Sequence, residues 1–98
     1  MTIDTTVAGT ELNIALEGRL DTNTAPELEA ELKKSVAGIT SLVIDIEKLE
    51  YISSAGLRVI LKAQKIMNKQ GTMKLTGVND TVMEVFDITG FSDILTFA

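Results

Sequence analysis

Leu12, Ile14 and Leu16 alternate with Asn13, Ala15 and Glu17, the period of two of a strand with one face buried. Upstream, Thr2 to Val7 is rich in β-branched residues and Ala8-Gly9-Thr10 supplies a turn. The chain is therefore predicted to open with a hairpin whose second strand ends at Gly18. A polar loop, Asp21-Thr22-Asn23-Thr24, then runs into a helix start. Thr24-Ala25-Pro26-Glu27 reads as a capping box, with Pro26 in the first turn where a missing N–H is harmless. Leu28, Leu32 and Val36 mark the apolar face, and Gly38 is the expected left-handed stop.

Ser41 to Glu47 carries Leu42, Val43, Ile44 and Ile46, a near-continuous apolar run that suits a strand covered on both faces. Lys48 to Ile52 reads as a short connection. A second helix runs from Ser53 or Ser54 to Gln70 and is closed by Gly71. Met73 and Leu75 alternate with Thr72, Lys74 and Thr76, predicting a fourth strand. Asp80 is the expected cap of a short third helix with Val82, Met83 and Phe86 inward and Gly90 as its stop. Ile94 to Phe97 is read as a last strand. The order is ββαβαβαβ: an α/β fold, one domain over residues 1–98, with helices packed on a mixed sheet and two parallel crossovers.

Composition removes several function classes. The formal net charge is -5, which argues against nucleic acid as a partner. There is no Cys and no His. A zinc–thiolate centre, a thiol nucleophile and a Ser-His-Asp triad therefore cannot be assembled, and the expectation is a protein that is not an enzyme and needs no cofactor or metal. Asp45 with Glu47 is the best available carboxylate pair, and both point to one side of a strand. The first residues have no basic segment followed by an apolar one, no run of about 18 apolar residues occurs, and the chain ends in Phe97-Ala98 without a lipidation signal. A cytoplasmic protein away from the membrane is expected.

Projected at about 100° per residue, the second helix separates into faces. Gly56, Val59, Ile60, Ala63, Ile66 and Met67 form the buried stripe, with Leu57 and Leu61 at its edge beside Gln64 and Asn68. Arg58, Lys62, Lys65 and Lys69 form a basic stripe, four of the nine basic residues of an acidic molecule. Such a stripe serves either as solvated surface or, with the apolar edge beside it, as a docking face for a protein partner. Ser53 and Ser54 sit where connection becomes helix. Serine is a preferred N-cap, and free amides at a helix start also favour a phosphate there.

Tyr51-Ile52-Ser53-Ser54-Ala55-Gly56-Leu57-Arg58-Val59-Ile60-Leu61 resembles the signature of STAS domains, and specifically of the stand-alone bacterial anti-sigma factor antagonists: D-S-S/T-G-L, with the variant S-S-A-G-L-R, at the start of the helix after the third strand. Gly18-Arg19-Leu20-Asp21-Thr22-Asn23-Thr24-Ala25-Pro26-Glu27-Leu28 resembles the family's G-x-L-D-x-x-[TN]-A loop. Two motifs in the right order about thirty residues apart are specific where one alone is not. The resemblance implies partner switching. The unphosphorylated antagonist binds an anti-sigma factor that is also a GHKL-type serine kinase, which frees a sigma factor. Phosphorylation ends the binding, and a PP2C-type phosphatase restores it. The family's phosphoserine lies two residues before the motif glycine, which is Ser54 here. Ser53 stands where many members have Asp and is the second candidate for the phosphate. By the same analogy the partner surface comprises Asp21, Asn23, Ser53, Ala55, Leu57, Arg58 and Leu61.

Two other readings differ in their consequences. A STAS interaction module of a non-sigma regulatory, transport or scaffold complex keeps the fold and changes the job. A nucleotide-binding domain would need a Gly-rich phosphate loop, and neither G-x-x-x-x-G-K-[ST] nor G-x-G-x-x-G is present.

Overall fold

The computed structural model describes all residues, Met1–Ala98. Strands β1 (Thr2–Ala8) and β2 (Glu11–Leu20) form the expected hairpin, and α1 (Ala25–Ser35), β3 (Ser41–Ile52), α2 (Ser54–Gln70), β4 (Thr72–Thr76) and α3 (Asp80–Thr89) follow. The sheet order is β1-β2-β3-β4. β1 runs antiparallel to β2, and β2, β3 and β4 are mutually parallel, joined through α1 and α2.

One face of the sheet carries the core. Leu12, Ile14, Leu16 and Leu20 of β2 and Leu42, Ile44, Ile46, Leu49 and Ile52 of β3 are buried together with Leu28 and Leu32 of α1, Val59, Ile60, Ala63 and Met67 of α2, and Val82 and Phe86 of α3. The opposite face is open, which corrects the expectation for β3. Val43 lies between Asn13 and Lys74 in the register and is only half-buried, because no helix covers that side.

β3 is also longer than its apolar run suggests. The register passes from Ala15↔Asp45 to Glu17↔Lys48 and from Gly18↔Leu49 to Arg19↔Tyr51, so β3 carries one extra residue at each shift. These two bulges change the buried spacing from Leu42, Ile44, Ile46 to Leu49 and Ile52. That loss of alternation makes Lys48 to Ile52 look like a connection. β2 likewise passes Gly18, which takes φ 107, and ends at Leu20.

The last expected strand is reduced to one bridge. Phe91–Asp93 forms a 3-10 turn and Ile94 follows in a helical conformation, leaving Phe97 alone to pair with Leu75. The Phe97 ring packs on Phe86 at 5.5 Å between centroids. Two caps are shifted as well. Asn79 rather than Asp80 caps α3, its side chain accepting from the Val82 amide at 2.9 Å. Thr24 makes no side-chain cap to α1, for a reason that belongs to the site.

Candidate functional site

Leu20 and Ile52 are register partners at the carboxyl ends of two parallel strands, so the loop that starts at Asp21 and the helix that starts at Ser53 leave the sheet side by side. The Ser53 amide donates to the Leu20 carbonyl at 2.9 Å, which locks the two exits together. Gly56 brings them closer still. A Cβ there would lie 2.7 Å from Leu20 Cγ and 3.0 Å from the Leu20 carbonyl oxygen, so any larger residue at this position has to displace Leu20 or push the first turn of α2 off the end of β2.

The loop builds its own box, one turn earlier than the sequence suggests. Asp21 Oδ1 accepts from the amides of Asn23 at 3.0 Å and Thr24 at 3.1 Å, while the Asp21 amide donates to Thr24 Oγ1 at 2.9 Å. The Ala25 amide donates to the Asp21 carbonyl at 2.8 Å. Asp21 and Thr24 thus exchange side chain for amide as the ends of a capping box do, and the expected Thr24–Glu27 pair is replaced by them. The Thr24 hydroxyl donates to the Arg19 carbonyl at 2.7 Å, anchoring the box to β2. Partial desolvation pushes the Asp21 carboxyl up. The Thr24 and Asn23 amides, the Thr24 hydroxyl and the Arg19 guanidinium outweigh it and hold the carboxyl below its ordinary range. Arg19 Nε lies 3.9 Å from Asp21 Oδ2, and its guanidinium sits 4.3 Å from the centroid of the Tyr51 ring.

The two serines differ. Ser53 is the N-cap, half-buried, and its Oγ accepts from the Gly56 amide at 3.3 Å. Ser54 is the first residue inside the helix, exposed, and its hydroxyl is in none of the side-chain hydrogen bonds. Among the expected contact residues, Asn23 and Arg58 are exposed and Ala55 and Leu61 half-buried. Leu57 is 5% exposed and belongs to the core. Of the expected contact residues it is the one that the fold itself covers. Gln64, expected at a boundary, is buried too.

Beside Ser54, a groove of about 170 Å³ lies between α1 and α2, lined by Thr22, Pro26 and Glu29 on one wall and Ala55, Arg58 and Lys62 on the other. Lys62 Nζ reaches Glu29 Oε1 at 2.9 Å across it. The Lys62 hydrogen bond and charge, against partial desolvation and with help from Lys33, hold the Glu29 carboxyl below its usual range. This cross-helix pair was not visible in the sequence, since 33 residues separate its members. The largest hollow, about 650 Å³, is elsewhere, between Glu17, Glu47, Glu50 and Asn79, and only one of its eight lining residues is apolar. That lining is unlike the apolar walls of small-molecule pockets. Asp45 and Glu47 are joined through the backbone, Asp45 Oδ1 accepting from the Glu47 amide at 3.0 Å.

A four-stranded sheet helical on one side, with a hydrogen-bonded Asp-x-x-Thr loop abutting a serine-capped helix, defines a small α/β module. The STAS domain family matches residues 2–98, and the chain belongs to that family. It is 42% identical over 85 residues, 85% of this chain and 73% of the other, to BtrV of Bordetella bronchiseptica, a protein named as an anti-sigma factor antagonist. Among solved structures, an anti-sigma factor antagonist from Mycobacterium paratuberculosis superposes with a TM-score of 0.88 at 22% identity, covering 98% of this chain and 83% of that one. SpoIIAA of Bacillus in its phosphorylated form gives 0.77 at 20% identity, covering 99% and 91%. At these identities the two structures establish the fold.

Proposed function

We propose that this protein is an anti-sigma factor antagonist that works by partner switching in the cytoplasm. It binds an anti-sigma factor with GHKL-type serine kinase activity while Ser54 is unmodified, releases it when Ser54 is phosphorylated, and is reset by a PP2C-type phosphatase. In the modifying step the γ-phosphoryl group of ATP passes to Ser54 Oγ, ADP leaves, and the hydroxyl proton goes to a base on the kinase. The protein itself supplies no catalytic group.

The observation that carries this reading is the unequal state of the two serines. Ser53 Oγ is occupied as the cap of α2, whereas the Ser54 hydroxyl is exposed and free, so a kinase reaches Ser54 without unmaking the helix start. A phosphate there adds a charge of about -1.5 to -2 and three acceptor oxygens to an open surface. The helix start tolerates that charge, so the fold stays intact. A partner that has covered Ser54 must bury it, and a buried uncompensated charge costs about 2–5 kcal/mol of binding. A loss of about 3 kcal/mol is more than a hundredfold. BtrV, at 42% identity, supports the antagonist reading over a transport or scaffold module.

The test is incubation with a GHKL-type kinase encoded beside it and ATP, followed by intact-protein and peptide mass spectrometry. One phosphate on Ser54, lost in Ser54→Ala, is expected. A phosphate on Ser53 would move the switch by one residue. No transfer to the folded protein would sink the reading in favour of a constitutive interaction module.

A further inference from the structure

Ser54 stands at the head of the basic stripe. On the helical projection Arg58, Lys62, Lys65 and Lys69 all fall within about 80° of it, all four are exposed, and α2 contains no acidic residue. These cations are not equivalent. Lys62 is held by Glu29 at 2.9 Å, and Glu29 also engages Lys33 at 3.8 Å. On the loop side, Arg19 and Asp21 face each other at 3.9 Å. Arg58 is in none of the ion pairs. It lies four residues after Ser54, the spacing at which helical side chains are neighbours with about 5–6 Å between Cβ atoms. The Cα–Cβ bonds of a helix tilt toward its N-terminus, which puts the Ser54 turn within reach of the Arg58 side chain.

We propose that Arg58 is the built-in counter-ion of phosphorylated Ser54, its planar fork donating two hydrogen bonds to the phosphate oxygens. The inference rests on the reading of Ser54 as the phosphorylated residue and extends it to how the switch acts. Phosphorylation then changes two groups on the docking face at once: a dianion appears, and the free cation beside it is withdrawn from any acidic partner surface that it meets in the unmodified protein. Arg58→Gln should accordingly weaken partner binding by the unmodified protein. It should also leave the phosphate with the helix amides as its remaining support.

The experiment needs no kinase. Phosphoserine is installed at position 54 by genetic encoding, and the phosphate is titrated by phosphorus NMR between pH 4 and 8. In the otherwise unchanged protein its second pKa is expected below the free value of about 6. In Arg58→Gln it rises by about half a unit, Arg58→Lys restores part of the difference, and Lys34→Gln, which removes one positive charge near the end of α1, changes nothing. Superimposable titrations for the parent and Arg58→Gln would overturn the counter-ion. So would an equal shift in Lys34→Gln, which would mark a general effect of net charge. Failure of the kinase to modify Ser54 would instead remove the reading beneath it while leaving the titration result standing, so the two failures are distinguishable.

Discussion

The amide of Ser53 donates to the carbonyl of Leu20 at 2.9 Å, and the Gly56 Cα faces the same carbonyl so closely that a Cβ would stand 3.0 Å from its oxygen. Both motifs of the sequence therefore converge on one residue, Leu20. The serine-glycine motif docks on it, and the aspartate loop departs from it. The second helix is consequently fixed relative to the Asp21 loop by backbone geometry, not by side-chain adjustment.

Gly56→Ala puts two effects in opposition. Alanine improves helix propensity by about 1 kcal/mol, but the new methyl would lie 2.7 Å from Leu20 Cγ and 3.0 Å from Ile52 Cγ1, both on buried residues. Overpacking of that kind costs about 1–3 kcal/mol and prevails here. The urea midpoint is expected to fall, and affinity for the proposed anti-sigma factor partner to fall with it because α2 tilts away from the loop. A midpoint at or above that of the parent would show that the contact yields freely.

Substitution separates the serines. Ser53→Ala removes the cap on the Gly56 amide and should cost about 0.5–2 kcal/mol of stability, with the phosphate still accepted at Ser54. Ser54→Ala should leave stability nearly unchanged and abolish phosphorylation. Ser54→Asp places a carboxylate in the first turn of α2, where it stabilises the helix by about 0.3–1 kcal/mol, yet it should weaken partner binding at least tenfold. Chemical denaturation and calorimetric titration of the same three proteins read both quantities. Parallel changes in stability and affinity would contradict the division of labour.

The sheet and its crossovers were legible in the sequence because period-two strands and apolar helix faces dominate it, and the two loops stood out by their residue types. What escaped depended on pairing across distance. The β3 bulges are set by the register against β2, and nothing local in Lys48 to Ile52 announces them. Leu57 looked like an edge residue on a regular helical wheel, but the docking of α2 over Gly56 turns it inward. The Asp21–Thr24 exchange was hidden because Thr24–Glu27 satisfies the same local pattern one turn later. Both describe a capped helix, and only the hydrogen bonds decide between them.

Acid sensitivity follows from the two depressed carboxyls. Asp21, held down against desolvation by amides and Arg19, and Glu29, held down mainly by Lys62, bind fewer protons in the folded protein than in the unfolded chain. Their contributions are complete above the unfolded values of about 4 and are lost as pH falls through the lower folded values. The urea midpoint should therefore be insensitive to these groups from pH 7 to 5 and drop below about pH 4. Asp21→Asn keeps a competent capping side chain while removing its titration, so the drop should be shallower in this variant, and shallower again when combined with Glu29→Gln. An unchanged acid limb in the double variant would assign the sensitivity to other carboxyls.

Gln64 is the one buried polar side chain in the core, 8% exposed, and its Oε1 has no hydrogen-bond partner, although Nε2 donates to Asn68 Oδ1 at 2.8 Å. An unsatisfied buried acceptor costs about 1–3 kcal/mol, whereas the bond from Nε2 returns about 1 kcal/mol. Methionine has a similar length and no acceptor that demands a partner. Gln64→Met should thus raise the melting temperature by several degrees for a domain of this size without altering phosphorylation of Ser54, since residue 64 lies more than two helical turns beyond it. Gln64→Ala, which leaves a void in place of the amide, should lower it. If Gln64→Met is instead destabilising, the buried oxygen has a partner in solution, and an ordered water between α2 and its neighbours is the group to look for.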